Sequence, residues 1–316
     1  MKKDLLTLFD MTGDELEELF VLSDNLKEDD STMPLRGKTI AMIFQKPSLR
    51  TRVSFEVGVT QLGGHTSFLS QEGIGVGTRE SAHDVAKLLS RYCDGIVARL
   101  YDHGVLEELA RHASIPVINA LTDVSHPCQV LADLYTVRQT GRLKPGVKIV
   151  FVGDGNNVVH SWLEMATLYP IQFVLAAPKG YWPNEAIVKK AKEAGIGTIE
   201  ITSNPAEAVR GAEVVYTDVW TSMGQEAETV ARRKAFASYQ VNGLLMKNAP
   251  PECLVMHCLP AHRGEEITSE VIDGPRSIVF DEAENRLHVQ KAVLALLCSQ
   301  RQGRGSKKAG YRTTPV

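Results

Sequence analysis

What the chain lacks narrows its class first. Its five cysteines, Cys93, Cys128, Cys253, Cys258 and Cys298, form no CxxC pair and no zinc-finger spacing. Their odd number in a chain of this size favours reduced thiols and a cytoplasmic location. Basic residues are not in excess: 35 Lys and Arg stand against 38 Asp and Glu, a net charge of −3. That balance argues against a protein that wraps nucleic acid and suits a small-molecule anion site better. No apolar run approaches membrane-spanning length. Met1-Lys2-Lys3-Asp4-Leu5-Leu6 carries acid too early, and no long apolar core, for a signal peptide. Internal repeats and long low-complexity segments are missing too. The expectation is a soluble cytoplasmic protein without nucleic-acid or membrane partners.

What is present is an alternation of short β-rich runs and helical segments over 316 residues, enough for two domains with their own cores. The alternation predicts α/β architecture with two doubly wound parallel sheets. An amphipathic helix is expected over Thr12–Asn25, then strands near Thr39–Phe44, His65–Ser70, Gly95–Leu100 and Pro116–Leu121. Ser81 reads as the cap of a helix running to Arg91. After the turn at 141–146 come strands near Val147–Val152, Ile171–Ala176, Thr198–Thr202, Glu213–Thr217, Cys253–His257 and Ser277–Phe280, and a last helix over Ala283–Ser299. The domains are drawn as 1–138, completed by the last helix (283–300), and 139–282. The Gly- and Lys/Arg-rich tail, 301–316, has no periodicity and is expected to be disordered.

The richest stretch is Ser48-Leu49-Arg50-Thr51-Arg52. It lies between a predicted strand and a predicted helix, so hydroxyls and two guanidiniums converge on a helix start. Cations are unfavourable at the positive end of a helix dipole unless an anion joins them there. Arg forks also match phosphate oxygens. Nearly every other chemically loaded residue likewise follows a strand: Arg99, His126-Pro127-Cys128-Gln129, Asp154 to Asn157, Asp218 to Met223, His257 to Pro260, and Glu282 to Arg286. Parallel sheets bind ligands at that edge, and two such edges face to face predict an interdomain cleft.

Weighed singly, the motifs differ in force. Gly153-Asp154-Gly155-Asn156-Asn157-Val158 tempts a dinucleotide reading, but Val158 replaces the third glycine. Ala176-Ala177-Pro178 also stands where a ribose-binding acid belongs. Asn157, at a helix start, suits a carboxylate or amide. Near Arg99, His126 suits carbonyl polarisation and oxyanion stabilisation. Asp218 with Ser222 and Gly224 reads equally as a binding loop or an ordinary Asx turn. Pro260 should hold Leu259 extended with its carbonyl aimed into the cleft. Cys258 lacks the neighbours of a covalent nucleophile. Arg286 reads as another cation near a helix start.

In order along residues 4 to 300, these segments resemble the transcarbamoylase family, its ornithine-accepting branch most closely. The matching motifs are Phe44-x-Lys46-x-Ser48-x-Arg50-Thr51-Arg52, Arg99, His126-Pro127-x-Gln129, Gly153-Asp154-x-Asn156-Asn157, Asp218-x-x-x-Ser222-Met223-Gly224, His257-Cys258-Leu259-Pro260 and Glu282-Ala283-Glu284-Asn285-Arg286. The resemblance implies transfer of a carbamoyl group from carbamoyl phosphate to the side-chain amine of L-ornithine, with neither metal nor organic cofactor. It assigns Ser48, Leu49, Arg50, Thr51 and Arg99 to the phosphate. His126, Gln129 and Arg286 hold the carbamoyl end, whose carbonyl Thr51 and Arg99 help to polarise. Asn157, Asp218, Ser222 and Met223 grip the amino-acid end, and Cys258 and Leu259 sit beside the attacking amine. Arg99, His126, Cys258 and Asp218 are thereby expected to be catalytic. Homotrimers, or multiples of trimers, also follow from the resemblance alone.

Two departures matter. Leu49 occupies a slot that is often Thr but contributes mostly backbone. Gly75 stands where family members send a Gln or His into the neighbouring subunit's phosphate site; glycine lacks that donor, so a raised KM for carbamoyl phosphate is expected. Another acceptor, N-acetylornithine or putrescine, is the alternative. The same residues serve citrulline synthesis for arginine and the reverse phosphorolysis.

Overall fold

The computed structural model describes residues 3–29, 31–222 and 224–299. Met223 and the tail 301–316, both singled out above, lie outside the described residues.

The first half runs α1 (Gly13–Glu28), β1 (Thr39–Phe44), α2 (Leu49–Gln61), β2 (His65–Ser70), α3 (Gln71–Ile74), α4 (Ala82–Tyr92), β3 (Gly95–Arg99), α5 (His103–His112), β4 (Val117–Leu121) and α6 (Pro127–Gln139). The second runs β5 (Lys148–Val152), α7 (Asn157–Met165), β6 (Gln172–Ala176), α8 (Glu185–Ala194), β7 (Thr198–Thr202), α9 (Pro205–Ala208), β8 (Val214–Thr217), α10 (Thr229–Phe236), α11 (Gly243–Met246), β9 (Leu254–His257), α12 (Ser269–Ile272) and α13 (Val279–Cys298).

The strands form two parallel sheets, ordered β2-β1-β3-β4 and β7-β6-β5-β8-β9. Each sheet reverses direction once, between β1 and β3 and between β5 and β8. Strand order of this kind opens a crevice at the strands' carboxyl ends, where loops from the two directions part.

Strand alternation sorts the core. Ile40, Met42 and Phe44 of β1 join one apolar cluster that continues through α6 and α7 to Phe151, Phe173 and Tyr216 of the second sheet. The intervening Ala41 and Ile43 face a separate cluster under α4 and α5. Val150, Val152 and Val215 supply the outer core of the second half. With period-2 side chains, each sheet has one face on the shared core and one on its own. The last helix, α13, packs on α1, α2 and α6. Ser81 caps α4 as expected, its Oγ accepting from Asp84 N at 3.0 Å.

One expected strand is absent. Ser277–Phe280 makes only an isolated bridge, Val255 with Ser277, and α13 begins at Val279. The apolar run misleads because Val279 is buried while Phe280 is exposed. Asp281 and Glu282 then supply the acidic first turn that a helix start prefers. Arg286 consequently sits two turns into a helix, not at its beginning. Among the described residues, no helix is long and apolar enough to cross a membrane.

Candidate active site

A cavity of about 1130 Å³ opens between the two sets of strand ends. Around it the fold gathers Ser48, Leu49, Arg50, Thr51, Arg99, His126, Gln129, Asn157, Asp218, Ser222, Cys258, Leu259 and Arg286. Gly75 does not line it.

The first half supplies charge. Ser48 caps α2, its Oγ accepting from Thr51 N at 3.2 Å. Leu49 turns its side chain to solvent, leaving only its backbone to the cleft. Arg99 ends β3; it is buried and donates from Nε to Lys46 O at 3.3 Å. Burial, then the neighbouring Arg286 and Arg50, lower its pKa to about 10, so it stays cationic at neutral pH. Arg286 Nη2 donates to Thr51 Oγ1 at 2.7 Å, and burial first, with Arg50 beside it, lowers its pKa as well. These guanidiniums repel one another, which makes an anion between them favourable.

His126 precedes α6 and is fixed by its backbone N–H, which donates to Ser161 Oγ at 2.8 Å. The ring is buried and its Nδ1 has no partner. Burial, then Arg286, Arg99, Arg50 and Lys46, hold its pKa well below 6.5. The imidazole is therefore neutral at physiological pH, with a ring nitrogen to spare for a ligand.

Lys46 belongs to this group although the sequence reading gave it no role. Only 4% exposed, it pairs with Asp123 and lies 4.5 Å over the Tyr101 ring. Its place in the turn after β1 was the available signal. Arg52 is the opposite case. Two residues beyond Arg50 it points to the far side of α2, stacks 3.8 Å from the Phe68 ring and pairs with Glu56 at 3.0 Å. A helix turns about 200° over two residues, so the two guanidiniums cannot converge.

The second half supplies polar groups on loops. Asn156, not Asn157, caps α7, accepting from Val158 N and Val159 N. Asn157 donates from Nδ2 to Thr122 O across the cleft at 2.6 Å. Asp218, past β8, accepts from Asn156 Nδ2 and Val219 N, each at 2.8 Å. Cys258, past β9, has its sulfur within 4.8 Å of an Asp218 carboxylate oxygen; burial first, and then that carboxylate, hold its pKa well above 9. A thiol so held is a donor and not a nucleophile. Ser222 donates its N–H to Gln225 Oε1 at 3.2 Å. Arg232, which sequence reasoning missed, braces this loop: it donates to Trp220 O at 3.0 Å, Asp154 at 2.9 Å and Glu228 at 2.8 Å. Nothing in its local pattern marked it.

Leu259 corrects another expectation. Its φ is +55°, not extended, and the Leu259–Pro260 bond is cis. Leu259 N donates to His257 Nδ1 at 2.8 Å, and its carbonyl accepts from Arg50 Nη2 at 2.6 Å. Those two bonds outweigh the usual preference before proline. The carbonyl still faces the cleft.

Two cofactor readings fit poorly. A Cβ on Gly155 would meet Pro183 N at 2.4 Å, so the protein's own chain fills the space a dinucleotide turn would offer a pyrophosphate. Asp218, His257 and Cys258 bring ligand atoms within 4.8 Å of one another. Yet His257 Nδ1 is spent on Leu259, its Nε2 lies 3.1 Å from Glu266, and the thiol keeps its proton. That donor set does not suit a resident metal.

The comparisons agree with this geometry. Residues 3–139 match the carbamoyl-P binding domain of aspartate/ornithine carbamoyltransferase, and residues 145–297 its Asp/Orn binding domain. The chain is similar to the ornithine carbamoyltransferase of Chlorobaculum tepidum, 55% identical over 303 residues that cover 94% of this chain and 90% of that protein. It is similar also to the Pyrococcus abyssi enzyme, 52% identical and covering 98% of both. Among solved structures, ornithine carbamoyltransferase from Pyrococcus furiosus superposes with a TM-score of 0.89 at 50% identity, covering 93% of this chain and 96% of that one. Anabolic ornithine carbamoyltransferase from Campylobacter jejuni reaches 0.90 at 36% identity, covering 94% and 99%. Two parallel-sheet halves with a cationic cleft between them, and matches of this extent, establish that the chain belongs to the aspartate/ornithine carbamoyltransferase family.

Proposed function

We propose that this chain transfers the carbamoyl group of carbamoyl phosphate to the side-chain amine of L-ornithine, giving L-citrulline and phosphate. The observation that carries this reading is the juxtaposition of Arg50, Arg99 and Arg286 from the donor side with Asp218, Cys258 and the Leu259 carbonyl from the other. The relatives' names favour ornithine over N-acetylornithine or putrescine.

The phosphate lies on the α2 start among Ser48, Arg50, Thr51 and Arg99. His126, Thr51 and Arg99 donate to the carbamoyl oxygen, on which negative charge grows as the tetrahedral centre forms. Gln129 and Arg286 complete that end. Asn157, Asp218, Ser222 and Met223 bind the amino-acid head, while Cys258 and Leu259 face the side-chain amine. That amine has an ordinary pKa of about 10, so it must reach the carbon neutral. The new C–N bond forms, the C–O bond to phosphate breaks, and the proton shed by the amine leaves with the phosphate. Positioning and oxyanion stabilisation supply the rate.

A homotrimer, or a multiple of it, is the assembly we favour. Its support is an exposed apolar stripe at four-residue spacing on α2, Leu49, Val53 and Val57, with Leu88 and Tyr92 exposed on α4. Five free cysteines suit a cytoplasmic setting. The anabolic naming of the Campylobacter and Pyrococcus furiosus enzymes favours the citrulline-forming direction, toward arginine. The domains we assign are 1–138 with 283–300 for carbamoyl phosphate and 139–282 for ornithine.

Gly75 keeps the expectation of a raised KM for carbamoyl phosphate. It has φ +64°, and an added Cβ would lie 2.9 Å from Arg79 Cβ, so a glutamine there would be strained. The KM comparison therefore belongs with a relative that carries the side chain naturally.

The test is carbamoyl-product formation from carbamoyl phosphate with ornithine, N-acetylornithine, putrescine and aspartate side by side. Ornithine should exceed the others by about a hundredfold or more, because a buried carboxylate such as Asp218 discriminates strongly against a capped or missing amine. Turnover with another acceptor alone would overturn the assignment.

A further inference from the structure

Gln129 sits in the first turn of α6, lines the cleft and is 1% exposed. Its Nε2 donates to Asp133 Oδ1 at 2.8 Å and to Glu282 Oε1 at 3.1 Å. Asp133 is four residues on along α6 and so shares its face. Glu282 arrives from the first turn of α13. Both amide protons are thus spent on the two carboxyl groups, and this fixes which way the amide lies. The Glu282 carboxylate offers Gln129 lone pairs and no proton, so it turns the NH2 towards itself and the C=O away. The Gln129 Oε1 left over is buried without a partner. A buried acceptor with no donor is costly, and beside a ligand cleft it calls for a donor on the ligand.

The carboxyl pair is itself held. Glu282 accepts from Tyr216 Oη at 3.0 Å and from His257 N at 2.9 Å, so the pair joins α6, β8, β9 and α13. Burial first, and then the facing Glu282 charge, keep Asp133 protonated well above the usual carboxylate range. A proton on Asp133 Oδ2, which has no other partner, would relieve the repulsion between the two buried acids.

We propose that Asp133 and Glu282 are positioning residues that hold the Gln129 carboxamide oxygen towards the cavity as acceptor for the carbamoyl NH2, and so select carbamoyl phosphate over an acyl phosphate bearing a methyl group there. The inference rests on the carbamoyl-transfer reading of the same site. In the sequence Asp133 looks like an ordinary helix residue and Glu282 only opens a motif; their meeting at Gln129 gives them this role.

The test uses two stable probes that differ only in NH2 against CH3, phosphonoacetamide and 2-oxopropylphosphonate, with inorganic phosphate as the reference. Affinities are measured by calorimetry on the full chain. The wild type should bind the amide about tenfold more tightly than the ketone, the loss expected when a buried acceptor goes unpaired. In Glu282→Gln, His257 N claims the new amide oxygen and the new NH2 faces Gln129. That repulsion releases the Gln129 amide, and the preference should fall to about twofold or less. Asp133→Asn keeps an oxygen for Gln129 and a donor for Glu282, so it should retain the preference. Phosphate affinity should be the same in all three proteins. Full preference in Glu282→Gln overturns the proposal. So does loss of preference in Asp133→Asn, which decides the matter if Glu282→Gln does not fold. Failure of the wild type to bind phosphonoacetamide would instead count against the carbamoyl-transfer reading.

Discussion

The two sides of the cleft are built differently. On the donor side most groups sit on or directly before a regular element: Arg99 ends β3, Ser48 caps and Thr51 enters α2, His126 precedes and Gln129 enters α6, Arg286 lies inside α13, and Lys46 alone stands in a turn. On the acceptor side Asp218, Ser222, Cys258 and Leu259 hang on loops after β8 and β9, kept in place by Arg232, His257 and Asn156. The donor side concentrates buried positive charge on a rigid frame, whereas the acceptor side is a set of stitched loops holding the carboxylates of Asp154 and Asp218. The contrast matches the chemistry. Charge develops on the carbamoyl oxygen and the phosphate, where preorganised cations help most. The acceptor needs discrimination and access.

That contrast can be broken by substitution, beginning where the effect is largest. On the proposed mechanism, Arg99→Met should lower kcat by about a thousandfold, because it removes a fixed, buried cation from the cleft. Steady-state kinetics with both substrates saturating reads this directly, and a change confined to KM would refute the rigid-donor view. His126→Gln should cost about a hundredfold in kcat. Its pH profile is the sharper readout. The imidazole pKa is depressed, so His126 remains neutral as pH falls through 6.5, and the acid limb of kcat/KM should persist unchanged in the variant. Disappearance of that limb would mean that His126 titrates in the working range.

Arg232→Met probes the stitched side. Loosening the loop after Asp218 should raise the KM for ornithine by about tenfold, roughly one charged hydrogen bond, and leave that for carbamoyl phosphate alone. Equal changes in both would show that the two sides are not separable.

The smallest effect on turnover is expected at the seam between the halves, where the readout is stability. Glu164 of α7 accepts from Leu8 N at 2.8 Å and Ser125 Oγ at 3.1 Å, and burial raises its pKa to about 8. Unfolded, it titrates near 4.5. Between those values the folded chain keeps a proton that the unfolded chain has lost. Its contribution to stability is therefore full below 4.5, declines as pH rises to 8 and is level above. Glu164→Gln should flatten the fall of Tm between pH 5 and 8 in thermal melts; an unchanged slope would place the pH sensitivity elsewhere.

The same contrast explains how much could be read from sequence. Seven of these nine strands are largely buried and announce themselves as short apolar runs, and the more exposed edge strands β2 and β7 still keep β-rich residues, so all nine are legible to within about a residue. Ile278-Val279-Phe280 is equally apolar and fails, because burial of one residue in three is invisible in composition. The residues proposed for the site gather around one cleft because topology brings the strand ends to one edge. What was lost is orientation and partnership. Arg52 turned away through helical geometry, Leu259 took a left-handed φ through its bonds to His257 and Arg50, and Lys46 and Arg232 acquired roles only through distant partners.

On the proposed mechanism the cations and His126 polarise the carbamoyl carbonyl through its oxygen, the amine attacks the carbon, and phosphate leaves whole. Carbamoyl phosphate labelled with ¹⁸O in the bridging position, turned over with ornithine, tests it most directly by mass spectrometry of both products. The account predicts unlabelled citrulline and all of the label in phosphate. Transfer of the phosphoryl group to ornithine, with the label expelled in carbamate, would contradict it.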